Sequence, residues 1–161
     1  MRERNKIRYE IKLAPDQGHS EGSKVETRSI APTDRDALAQ LMLDAYMGTI
    51  DYEGETINEA LDEVDAWFDG SALLEHSYVA IANSRLVSAI LTMSMDEGPF
   101  IAIVMTDPAY KNAGLGRTVT ERSLESLANA GHVHVAFYIT EGNTPSERLF
   151  ESLGAERVPP G

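Results

Sequence analysis

The stretch from Phe100 to Leu127 constrains this chain most. An apolar run with β-branched residues, Phe100 to Thr106, stops at Pro108; Lys111-x-x-Gly114-x-Gly116 follows, and a helical pattern then continues through Leu127. The order is strand, loop, helix start. Gly114 and Gly116 allow backbone conformations and close approach that a Cβ would block. The unpaired N–H groups of a first helical turn, with the positive end of the helix dipole behind them, suit a phosphate oxygen. On these glycines alone an ordinary strand-to-helix turn explains the pattern equally well.

A second stretch decides between the two. Phe137-Tyr138-Ile139-Thr140-Glu141-Gly142-Asn143 leads into Ser146-x-x-Leu149-Phe150-x-x-Leu153-Gly154-Ala155. Thr106-Asp107-Pro108 with Lys111, Gly114 and Gly116 resembles the pyrophosphate-binding motif of the GNAT family of acyl-CoA-dependent N-acyltransferases, Arg/Gln-x-x-Gly-x-Gly/Ala after a hydrophobic-x-Pro step. Lys stands for Arg or Gln, and Thr106 for the usual Val. The downstream stretch resembles the family's strand, Asn and last helix. Two ordered signatures about 30 residues apart are far more specific than either alone. The resemblance spans roughly residues 25–158. It implies an α/β (α+β) GNAT-like fold: a central mixed, mostly antiparallel twisted sheet, flanked by about four helices and splayed at the cofactor strand.

The resemblance also implies acetyl-CoA as cofactor and an N-acetyltransferase moving the acetyl group to a primary amine by direct attack in a ternary complex. Backbone groups of Val104, Met105 and Thr106 would run along the pantetheine arm, and the amides of Asn112, Ala113, Gly114, Leu115, Gly116 and Arg117 would take the phosphates. Lys111, Arg117 or Arg148 would meet the 3′-phosphate. Asn143 matches the family's Asn that hydrogen-bonds the pantetheine arm, with Ser146 and Phe150 on the helix beside it. Phe150 stands where many members have a Tyr that protonates the leaving sulfur, and a phenyl ring cannot do so. Either water or Tyr138 substitutes, or catalysis is weaker, or the domain binds acyl-CoA without turning it over.

A protonated amine has no lone pair to attack with, so a carboxylate or water chain must accept its proton. The candidates are Glu97, Asp96, Glu53 and Glu141. Glu97 ranks first because it lies just before the central strand, although a turn carboxylate explains it as well. With no Cys and no Ser/His/acid pattern, a covalent enzyme intermediate is not expected. In the family a helix-loop-helix segment borders the acceptor, which nominates Tyr46, Asp51, Tyr52, Glu53 and Glu55.

Charge bounds the partners. Of a net −12, residues 30–100 hold 14 acidic and 2 basic side chains, while residues 1–29 hold 5 and 7. Such a field repels nucleic acid and attracts cations, so a cationic small molecule or basic peptide is the favoured acceptor. The absence of cysteine removes disulfides and thiolate chemistry. No apolar run is long enough to span a membrane and no leader precedes the first strand, so a cytoplasmic protein without membrane contact is expected. His19, His76, His132 and His134 lack metal-ligand spacing, although His132 and His134 would share a strand face; no metal is expected. At 161 residues one domain, 1–161, is the economical reading. Because family members often dimerise, a homodimer is the oligomeric expectation.

Ile7, Tyr9, Ile11 and Leu13 alternate with Lys6, Arg8, Glu10 and Lys12, a half-buried strand. This strand and the loop to residue 24 are not standard family parts. Val25–Ile30 reads as a second strand. Helices then start at Thr33 with Asp36 and at Thr56 with Glu59, both read as capping boxes. Tyr78–Ala82 and Leu86–Met95 form a hairpin around Asn83-Ser84, and Asp96–Pro99 turns into the central strand. A strand from Val133 to Ile139 and a helix capped at Thr144 complete the order. The family usually ends in two more strands, whereas only Ala155–Val158 remain before Pro159. The leading strand, or a partner subunit, is therefore expected to fill that place.

Overall fold

Alternation builds the first strand, β1 (Lys6–Lys12), in which Tyr9 and Ile11 are each 1% exposed while Lys6 and Lys12 face solvent. The computed structural model describes residues 5–14, 25–47, 54–111 and 113–158. Along the chain follow β2 (Glu26–Ser29), α1 (Arg35–Tyr46), α2 (Ile57–Asp69), β3 (Tyr78–Ala82), β4 (Arg85–Met95), β5 (Gly98–Thr106), α3 (Leu115–Asn129), β6 (His134–Thr140), α4 (Thr144–Ser152) and β7 (Glu156–Arg157).

The strands form one open sheet in the order β2-β3-β4-β5-β6-β1-β7. Every neighbouring pair is antiparallel except β5–β6. This is the mixed, mostly antiparallel sheet with four helices that the family resemblance implies. β1 pairs with β6 along its whole length, Tyr9 opposite Phe137, so the leading strand takes the sheet position beside β6. β7 adds two residues outside it.

Each sheet face buries its own core. On one, Val119, Leu124 and Leu127 of α3 and Phe150 of α4 pack on Tyr9, Ile90, Ile101, Val135, Phe137 and Ile139. On the other, Leu38 and Met42 of α1 and Val64 and Trp67 of α2 pack on Val79, Ala89, Leu91 and Met105. Arg35 joins the two helices of that layer through Asp65. The Trp67 indole N–H donates to Thr92 O at 2.9 Å, which satisfies its one polar group inside the core.

Local signals hold where they involve near neighbours. Thr56 and Glu59 form the reciprocal capping box at α2, and Asn83 and Ser84 adopt φ of 52° and 61°, a left-handed two-residue hairpin turn. Four readings change. Residues Pro32–Asp34 make a 3-10 turn, and α1 starts after Asp34 rather than from a Thr33 cap: the Asp34 carboxylate accepts from the Ala31 N–H at 2.8 Å and from both Nη1 and Nη2 of the Arg28 guanidinium, a contact with β2 that no local spacing encodes. Pro99 lies inside β5, buried and opposite Ser94, where a proline near a strand's start is tolerated. Val133 is 70% exposed because β6 begins one residue later. Asn143, rather than Thr144, caps α4.

Candidate functional site

The sheet is forked. β5 and β6 pair only at Phe100 with Ala136 and Ile101 with Phe137; beyond these residues the two strands part. β5 also bulges there, since Leu91 faces Ile103 while Thr92 faces Ile101, leaving Ala102 extra and exposed in the middle of the sheet. A bulge raises local twist and bends its strand away from a neighbour. The half of β5 from Ala102 to Thr106 therefore has β4 on one edge and no β6 partner on the other. Backbone polar groups on such an edge can hydrogen-bond an extended guest as an added strand would.

The glycine loop lies at the end of β5. After Thr106 the chain makes a 3-10 turn over Pro108–Tyr110 and reaches Gly114 at φ +76°, in the left-handed region, immediately before α3. Among the described residues no side chain caps α3, and no atom beyond Gly114's own chain neighbours lies within 4 Å of where its Cβ would stand. Gly116 answers a different need. A Cβ there would sit 3.4 Å from Thr106 Oγ1, 3.7 Å from Val104 Cγ1 and 3.8 Å from Leu149 Cδ2, so α3, β5 and α4 converge on that glycine. The structure thus brings Val104, Thr106, Gly114 and Gly116 together. Lys111 and Ala113 are exposed beside them. Leu115 puts its side chain in the core and leaves only its backbone for binding. Arg117 donates to Ser152 Oγ at 2.6 Å and stands 3.7 Å from Glu121, while Arg148 is exposed. Met105 faces the opposite core. Asn112 lies outside the described residues.

On the α4 side, Asn143 Oδ1 accepts the Ser146 N–H at 3.4 Å, which uses one end of its amide as a helix cap. Phe150 is 5% exposed and packs on Phe137, which in turn stacks on Tyr9 with centroids 5.7 Å apart. Its ring belongs to the core beneath the fork.

The opposite face carries the two residues nominated for proton transfer. Tyr138, half exposed, stands one residue past the last β5–β6 pair with Phe100 5.5 Å away. Glu97 lies in the β4–β5 turn, 72% exposed, and accepts from Arg8 at 2.7 Å. At about 3.3 Å per residue the length of β5 separates Glu97 from the glycine loop. Arg8 joins the pair: its guanidinium is 6.0 Å from the Tyr138 ring, and hydrogen bonding to Tyr138, with the Glu97 charge, raises its already high pKa. Sequence reasoning did not single out Arg8, because only the β1–β6 pairing brings it here.

Of the residues nominated for the acceptor, Tyr46 ends α1, partly buried against the second core. Partial desolvation and the neighbouring Glu55 charge raise the Glu63 carboxyl above its usual range, and Lys6 opposes them. Asp51, Tyr52 and Glu53 lie outside the described residues. His132 precedes β6 and meets His76 edge-on at 5.8 Å, so it does not share a strand face with His134. Among the described residues no group of three or more His, Asp or Glu could hold a metal, and no helix is long and apolar enough to cross a membrane.

The model of the FR47-like protein family matches residues 78–158, half of the chain, from β3 through the fork, the glycine loop and α4. The chain belongs to this GNAT-type family. Among curated proteins, the mycothiol acetyltransferase of Thermomonospora curvata is 33% identical over 96 residues, covering 59% of this chain and 31% of that protein. The chain thus spans about a third of the length of such relatives. In fold it is similar to a GCN5-related N-acetyltransferase from Sphaerobacter thermophilus, with TM-score 0.73 and 17% identity over 96% of this chain and 49% of that one. It is also similar to the PaiA N-acetyltransferase of Thermoplasma acidophilum solved with coenzyme A, with TM-score 0.65 and 15% identity over 81% and 88%.

Proposed function

We propose that this chain is an N-acetyltransferase that uses acetyl-CoA to acetylate a primary amine by direct attack in a ternary complex. The observation that carries the reading is the fork: the half of β5 beyond Ile101, paired with β4 on one edge and with no β6 partner on the other, which leads through the Pro108–Tyr110 turn to Gly114 and the α3 N-terminus. That geometry fits an extended arm ending in a pyrophosphate, and the names of the relatives support acetyl transfer.

Acetyl-CoA supplies the activated acetyl group. Backbone groups of Val104, Met105 and Thr106 hold the pantetheine arm, and the amides from Asn112 to Arg117 hold the phosphates, with Lys111, Arg117 or Arg148 toward the 3′-phosphate. Asn143 and Ser146 border the arm. A preorganised N–H donor of this kind lowers an acyl-transfer barrier by about 3–4 kcal/mol. Tyr138 offers a phenolic O–H, the role that Phe150 cannot fill. Glu97 takes the amine proton after releasing Arg8. The acceptor enters on the α1–α2 side, toward Tyr46, Asp51, Tyr52 and Glu53, and the acidic 30–100 segment favours a cationic one. One domain, 1–161, acting as a cytoplasmic homodimer, completes this reading.

Burial of Phe150 among Phe137 and Tyr9 favours a second reading, a domain that binds acyl-CoA without turnover. Thiol release from acetyl-CoA across a panel of amines separates the two. Turnover with one amine class, absent in Gly114→Asp, supports the transferase; tight binding without amine-dependent release supports the second reading.

A further inference from the structure

The turn between β3 and β4 makes contacts that its hairpin does not need. A left-handed Asn83-Ser84 turn matches strand twist unaided. Yet Asn83 Nδ2 donates to the Tyr110 hydroxyl at 2.9 Å, and Arg85 Nη2 donates to Asp107 at 2.7 Å. Both acceptors belong to the short turn between β5 and the glycine loop. The buried Asp107 carboxylate also accepts the Ala109 N–H at 2.8 Å. Its backbone N–H donates to Val87 O, and its carbonyl accepts the Tyr110 N–H, both at 2.8 Å. Past Tyr110 the described backbone bonds lengthen: Lys111 N–H to Pro108 O and Ala113 N–H to Tyr110 O are each 3.3 Å. The stem of the loop is thus held by hydrogen bonds converging on Asp107.

We propose that the β3–β4 turn is a positioning element for the pyrophosphate loop, with Arg85 acting through Asp107 and Asn83 acting through Tyr110. The proposal rests on the phosphate-binding reading of that loop. Several N–H groups must converge on one phosphate, and a site placed a fraction of an ångström wrong binds weakly. Without Arg85, the buried Asp107 carboxylate keeps the Ala109 N–H but loses its charged donor, and the stem is free to turn toward water. Arg85 is 62% exposed, so its removal leaves both cores intact.

Calorimetric titration with coenzyme A and with adenosine 3′,5′-bisphosphate, which carries phosphates without the pantetheine arm, tests this. In Arg85→Ala both ligands should weaken by the same factor, about fivefold to tenfold, less than a full charge-assisted hydrogen bond because the Arg85 side chain is largely exposed. Arg85→Lys should recover part of the loss. Tyr110→Phe, which deletes only the hydroxyl, should weaken both by about twofold to threefold. Turnover at saturating acetyl-CoA should change little, so that the effect falls on KM rather than kcat. A lowered melting temperature with unchanged affinity for both ligands would make the turn a structural brace and overturn the proposal. If the unaltered protein binds neither ligand, the phosphate-loop reading falls first and takes the proposal with it.

Discussion

Phe150 of α4 lies against Phe137 of β6, ring centroids 4.2 Å apart, beneath the point where β5 and β6 part. Truncating it removes core contacts and opens a cavity, so Phe150→Ala should cost about 3–5 kcal/mol in a denaturant titration. Phe150→Tyr keeps the ring and adds a hydroxyl to an apolar surrounding. Its cost should be smaller, about 1–3 kcal/mol if the hydroxyl finds no partner.

The two loop glycines should respond differently. Gly114 has open space around it but a left-handed backbone, and an Asp there stands at a helix N-terminus, where a carboxylate suits the dipole. Gly114→Asp should fold with a modestly lowered melting temperature, from the left-handed backbone at that position, and lose the thermal stabilisation given by coenzyme A, because the carboxylate repels phosphate. Gly116→Ala meets Thr106 at ordinary contact distance and should be tolerated, whereas Gly116→Val should lower the melting temperature by wedging α3 from β5.

The first strand is integral to the fold. Tyr9 and Ile11 are buried on the face shared with Phe137 and Val135, and β1 is the only strand between β6 and β7. A chain beginning at residue 14 should lose its cooperative thermal transition. Retention of a native-like transition would show that β6 tolerates an open edge.

His76 is buried beside Ser126, its Nδ1 2.6 Å from the Ser126 hydroxyl oxygen. Burial, helped by nearby His132 and opposed by Glu75, lowers its pKa from 6.5. The folded state therefore favours the neutral ring: this contribution to stability is present above pH 6.5 and is lost as pH falls through the lower folded value. Unfolding free energy should decline between pH 7 and 5, and His76→Asn should flatten the decline. Identical pH profiles for both proteins would exclude His76 as the source.

Asp34 has a linkage of the same sign at more acidic pH. Hydrogen bonds from Arg28 and then the Ala31 N–H outweigh burial and hold its carboxyl below the usual 3.8. Its contribution is present above that value and is lost as acid drives pH through the folded one. Asp34→Ala, which removes the cap and strands Arg28, should cost about 1–3 kcal/mol at neutral pH by urea unfolding.

Nearly every element was legible in the chain, because each depends on neighbours in sequence: alternation in Lys6–Lys12, the Thr56–Glu59 box, the Asn83-Ser84 turn, the glycines before α3. Errors arose at helix starts. Arg28, on β2, holds Asp34 where spacing assigned the cap to Thr33, and Asn143, the residue next to Thr144, took the cap assigned to it. The glycine loop could be read from order alone, since its chemistry is that of a backbone shape.

What the sequence by itself determined is the strand-loop-helix unit from Phe100 to Leu127 and the family to which it belongs, because turn chemistry and periodicity act over a few residues. Only the tertiary structure decided that Arg8 stands between Glu97 and Tyr138, that the β5–β6 fork opens beyond Ile101, and that the β3–β4 turn holds the stem of the glycine loop. Those relationships join residues tens of positions apart, and they exist only once burial of Tyr9, Phe137 and Phe150 has fixed which strands lie side by side.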